Sequence, residues 1–117
     1  MRICQANLNK SNSAQTTFLH SLHPDHFDIA LLQEPHIDFL GVTRSNPRWT
    51  TVYPTHHVRD PSTSRSIILV NTHLSSTHWA PIPLPTGDVT AVQFHGSFGT
   101  IHIFNVYNDC EHNKSLN

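Results

Sequence analysis

Three short stretches hold residues whose types and spacing could do chemistry. Near the front, Asn7 and Asn9 follow an apolar-alternating run, in "RICQANLNKS". Farther on, Glu34 follows the apolar run "DIALLQ", and Tyr107 with Asn108 follows the alternating "IHIFNV". Asparagines are poor strand formers, so a turn would explain one of the first pair. A site that handles metal and phosphate would explain both. One carboxylate with neutral amides is a weak, open donor set. It suits a hard cation that keeps several waters and borrows oxygens from its substrate. A tyrosine and an asparagine donate hydrogen bonds where transition-state charge develops. Each residue also has an ordinary reading: Glu34 as a turn or surface carboxylate, Asn7 as a loop cap, Tyr107 as a half-buried rim aromatic.

The pattern predicts elements that place all three at strand ends. Residues 2–6 read as a short strand, with Ile3 and Gln5 on one face and Cys4 and Ala6 on the other. Asn12 is a candidate helix cap, with Gln15 completing a capping box, and Asn9 is expected to turn the loop before it. Ala14, Phe18 and Leu22, with Leu19 beside them, form one apolar helical stripe that His23-Pro24 ends. Residues 28–33 are nearly all apolar, as in a strand covered on both faces. Strand, helix, strand favours a parallel β-α-β unit, and Pro35 stops the second strand after Glu34.

Residues 36–59 are loop-like apart from an alternating strand within 49–54. Residues 65–74 carry the strongest strand signal, and the proline-rich 80–88 allows only a short or edge strand. Residues 89–108 read as a hairpin turning at Gly96-Ser97-Phe98-Gly99. One helix followed by many strands suits a layered α/β fold. At the C-terminal edge of such a sheet, Asn7, Glu34 and Tyr107 converge if their strands are neighbours.

Taken together, "ICQANLN", "ALLQEP", "SRSIILV" and "IFNVYND" resemble the endonuclease/exonuclease/phosphatase superfamily. The nearest likeness is to the apurinic-type endonuclease domain of non-LTR retrotransposons. The likeness runs through the whole chain but only the N-terminal part of such a domain, so residues 1–117 read as an incomplete one. It implies the front of a layered α/β/β/α sandwich and a phosphodiesterase that uses Mg2+, or Mn2+, on DNA. By resemblance, Glu34 is the metal ligand, Asn7 orients metal and phosphate, and Tyr107 hydrogen-bonds the scissile phosphate. Arg65 would help to place a nearby loop without being catalytic.

The sequence also departs from the pattern. Asn9 stands where many relatives carry Asp, Asp109 stands where Pro is common, and Cys110 lies near a further phosphate-contacting Asn of some relatives. The later Asp-x-Asn and Ser-Asp-His motifs, which supply the water-activating Asp and the Asp–His pair, do not occur in these 117 residues. The expectation is therefore little or no hydrolysis by this chain alone, with the C-terminal half of the domain as its missing partner and an apolar sheet face left open. The alternative is a non-catalytic remnant or interaction module of the same fold.

Composition narrows the classes. The chain suits one domain with a modest core. Only 13% of residues are charged, too few for a polyelectrolyte-like disordered chain, and the net charge of -1 supplies no positive field. Cys4 and Cys110, far apart and outside any ligand motif, are expected reduced and buried in an intracellular protein, cytoplasmic or nuclear. No membrane-spanning run or signal peptide is expected. The 11 histidines read as scattered surface or half-buried residues. The competing reading is a small histidine-bearing zinc protein, but Pro24 interrupts the His20, His23, His26 spacing.

Overall fold

The computed structural model describes residues 1–38, 46–55 and 64–107. In chain order it contains β1 (Ile3–Asn7), α1 (Asn12–Ser21), β2 (Ile29–Gln33), β3 (Trp49–Val52), β4 (Ser66–Asn71), β5 (Trp79–Ile82), β6 (Val89–Gly96) and β7 (Gly99–Val106). A 3-10 turn, Ser76–His78, leads into β5.

The first sheet runs β1-β2-β4-β3 and the second runs β5-β6-β7. β1 and β2 are parallel, as the strand-helix-strand pattern predicts, whereas β4 is antiparallel to both β2 and β3. The second sheet is antiparallel throughout. Period-2 alternation sorts the core into two clusters. Ala30, Leu32, Ile67 and Leu69 face Leu19 and Leu22, at the end of α1, on one side of the first sheet. Ile29, Ile68 and Val70 face Val92, Phe94 and Ile103 of the second sheet on the other. The layers are thus helix, mixed sheet, antiparallel sheet. This is the α/β architecture expected for the front of a layered sandwich.

Two local expectations are corrected. The helix cap is Ser11, not Asn12: Ser11 has extended dihedrals and its side chain accepts from the Ala14 N–H at 3.1 Å. The buried helical face is Gln15, Leu19 and Leu22 with half-buried Phe18, while Ala14 is exposed. The reason is polar. Gln15 is fully buried because its Oε1 accepts the His36 N–H at 2.8 Å, so it turns inward rather than back to the cap.

Cys4 is half-buried, with a free thiol whose pKa burial raises. Cys110 lies outside the described residues, as do Asn108, Asp109 and the last residues of the chain. The hairpin turns where expected. Gly96 pairs with Gly99, and the φ of +108° at Gly99 is a region that side chains rarely enter. Among the described residues, no helix is long and apolar enough to cross a membrane.

Candidate functional site

The parallel register sets Asn7 opposite Gln33, so β1 and β2 end together. Beyond that pair the chain turns sharply. Asn9 and Lys10 both have positive φ, 51° and 59°, and the Ser11 N–H closes the turn on the Leu8 carbonyl at 2.9 Å. Asparagine tolerates this conformation better than most residues, which is Asn9's part in the loop. The Asn7 side-chain oxygen accepts the Asn9 N–H at 3.0 Å, so it braces the turn. Asn7 itself is exposed.

Glu34, immediately after β2, also sits in the left-handed region, at φ 50°. Its backbone is tied on both sides. Its N–H donates to the Arg65 carbonyl, and its carbonyl accepts the Lys10 N–H, both at 2.8 Å. These ties hold a conformation that costs a residue with a Cβ about 1 kcal/mol or more. They also fix where the carboxylate points. Glu34 is half-buried, and its Oε1 accepts from the Tyr107 hydroxyl at 3.0 Å. Tyr107 is anchored in turn by its N–H to the Asp88 carbonyl at 2.7 Å.

Arg65 has a larger part here than the sequence suggests. Its N–H donates to the Gly87 carbonyl at 3.0 Å while its own carbonyl holds Glu34. Its guanidinium lies 5.7 Å from the Tyr107 ring centroid and 3.8 Å from Asp88. A cation over an aromatic face is attracted by the ring quadrupole, so Arg65 both braces the Tyr107 ring and brings positive charge beside it.

Two side-chain oxygens meet here, the Glu34 carboxylate and the Tyr107 hydroxyl. That chemistry fits a hard divalent cation held mainly by water and substrate oxygens. Among the described residues, no three of His, Cys, Asp and Glu gather into a metal-ligand group. A shallow pocket lined in part by His20, His23 and Arg48 lies at the other end of the first sheet. There β2 and β3 begin and β4 ends.

No family model matches the chain, and no curated protein matches it. Among solved structures it is similar to the endonuclease domain of TRAS1, a telomere-specific non-LTR retrotransposon. The TM-score is 0.71 at 20% sequence identity, over 98% of this chain and 49% of that one. The chain carries the endonuclease-domain fold. It spans about half the length of that solved chain.

Within this endonuclease fold, sequence reasoning missed a buried polar cluster directly beneath Glu34 and Tyr107. Asn105 is 1% exposed. Its Nδ2 donates to the Leu32 carbonyl at 2.9 Å and the Ile67 carbonyl at 2.7 Å, and its Oδ1 accepts from Gln33 Nε2. Its backbone carbonyl accepts from the Ser66 hydroxyl at 2.7 Å, and the Thr90 hydroxyl donates to the Ser66 carbonyl. The two sheets are therefore joined by hydrogen bonds at this end and by apolar contact elsewhere. The available signal was an asparagine in the inward register of β7, in line with Ile101 and Ile103.

Proposed function

We propose that this chain is the front part of a Mg2+-dependent phosphodiesterase domain acting on DNA, with Mn2+ as an alternative cation, in a nuclear or cytoplasmic protein. The observation that carries the reading is the Tyr107–Glu34 hydrogen bond, made at a shared strand-end edge within an endonuclease fold. Glu34 would hold the cation and Asn7 would stand at its phosphate side. When bound, such an ion polarises a phosphoryl oxygen and lowers the pKa of bound water. Tyr107, held by Glu34 and by the Asp88 carbonyl, would offer its hydroxyl as a hydrogen-bond donor to a non-bridging phosphate oxygen when substrate is bound. Arg65 would add positive charge to the same face. The Asp-x-Asn and Ser-Asp-His motifs do not occur in the 117 residues, so the chain by itself would supply binding and electrostatic stabilisation rather than a full reaction.

Mn2+ binding followed by electron paramagnetic resonance tests the cation site, with plasmid nicking measured in parallel. The expected result is Mn2+ binding lost in Glu34→Gln and no nicking by the 117-residue chain. Binding unaffected by Glu34→Gln but lost on histidine replacement would overturn the assignment. Robust nicking abolished by Glu34→Ala would overturn the expectation of inactivity.

A further inference from the structure

Glu34 and Tyr107 belong to different sheets, so something must set the two strand ends against each other. We propose that Gln33 and Asn105 are a positioning pair, whose buried side-chain hydrogen bond holds β2 and β7 in the register that lets Tyr107 reach Glu34. The proposal rests on reading Glu34 and Tyr107 as one site.

Gln33 immediately precedes Glu34, and Asn105 precedes Tyr107 by one turn of the pleat on the same face of β7. Both are buried, at 7% and 1% exposure. The amide orientation is forced. Asn105 faces two carbonyls, Leu32 and Ile67, so its NH2 must point to them and its oxygen to Gln33. Among the described residues β7 is an edge strand with β6 alone beside it, so the described sheet gives it a ladder on one side only. Apolar contact across the sheets resists separation but resists sliding weakly. The amide resists sliding, because a shift would strip the buried Asn105 side chain of its two carbonyl acceptors and the Gln33 donor of its acceptor at once. A slip of one residue would turn Tyr107 to the opposite face, and a slip of two would carry it about 7 Å. Either breaks a 3.0 Å contact.

The test uses Gln33→Met, which keeps the length and removes the donor, and Asn105→Asp, which keeps the shape and removes both donors. Leu69→Ala, a core change on the helix side of the sheet, is the stability control. Two readouts are taken where all folded variants are native: Tb3+ affinity, from tyrosine-sensitised luminescence, and the Glu34 carboxyl 13C signal. Gln33→Met is expected to weaken Tb3+ binding about tenfold, the low end for outer-shell partners. Its Glu34 signal is expected to move toward that of Tyr107→Phe. Leu69→Ala is expected to change neither. If Asn105→Asp does not fold, Gln33→Met decides alone. A Gln33→Met protein that loses thermal stability but keeps both readouts would overturn the proposal. If the wild type takes no Tb3+, or Glu34→Gln takes it equally, the cation reading fails. The carboxyl signal then decides for or against the pair without any metal.

Discussion

Glu34 is held by its neighbours in a backbone conformation that its own side chain disfavours, and this makes its replacement informative. Glu34→Ala and Glu34→Gly both remove the hydrogen bond from Tyr107. At an ordinary position alanine would be the more stable of the two, because glycine loses more freedom on folding. At φ 50° the order should reverse, with the glycine variant more stable by about 1 kcal/mol in urea denaturation. Alanine coming out ahead would mean that Glu34 does not occupy this conformation. Asp28, at the far end of the first sheet, carries a different kind of residue-scale cost. Burial acts to raise its pKa. The Arg2 backbone N–H, the Arg2 guanidinium and His73 together outweigh that and lower it below the ordinary carboxyl value of 3.8. A lowered folded value means that ionised Asp28 contributes stability in full above pH 3.8, and that this contribution fades as pH falls toward the lowered value. Asp28→Asn should therefore be less stable than the wild type at neutral pH, with the gap closing below about pH 4. A gap constant down to acid pH would remove Asp28 from the ion cluster.

Helix α1 shows how one residue of register changes what an element does. Ser11 closes the N-terminal turn onto Ala14, so Ser11→Ala should cost about 1 kcal/mol of stability and Asn12→Ala much less. Equal costs in thermal unfolding would restore Asn12 as the cap. Both residues are good caps, and only Asn12 has a glutamine three positions on, so local pattern favoured the wrong one. The deciding partner, the His36 N–H on Gln15, is distant in sequence and invisible to a capping-box argument. The strands were legible for the opposite reason. β2 and β4 are continuous apolar runs buried on both faces, and β6 and β7 alternate around a Gly-flanked turn. Glu34 and Tyr107 were legible because each interrupts such a run at its end. Asn105 was not. Its neighbours mark it as inward-facing, but whether a buried asparagine finds partners depends on which carbonyls the other sheet presents. Gln33, read as the close of an apolar run, was hidden in the same way.

Sheet order shows what the described molecule leaves uncovered. In the parallel register Ile3, Gln5 and Asn7 point to the same side as Ile29, Leu31 and Gln33, which is the side of the second sheet. The second sheet packs β6 and β7 over β4 and β2 and stops at β7. β1 therefore has no layer above it, which is why Ile3 is 44% exposed and Asn7 lies open. On β7 the outward Phe104 and Val106 are exposed as well, at 51% and 58%. An exposed edge strand bearing apolar side chains is a template for pairing with another chain. The solved chain of the same fold is about twice as long. The 117-residue chain should then self-associate when purified. Phe104→Lys with Val106→Lys, which charges the outward face without touching the inward Asn105, should shift sedimentation and light scattering toward the monomer. It should leave the Tyr107–Glu34 contact in place, because neither residue reaches the buried side of β7. A wild-type chain that sediments as a clean monomer would show that β1 and β7 are tolerated in water as they stand. Asn7 would then be an open position by design of the fold, not one awaiting a covering strand.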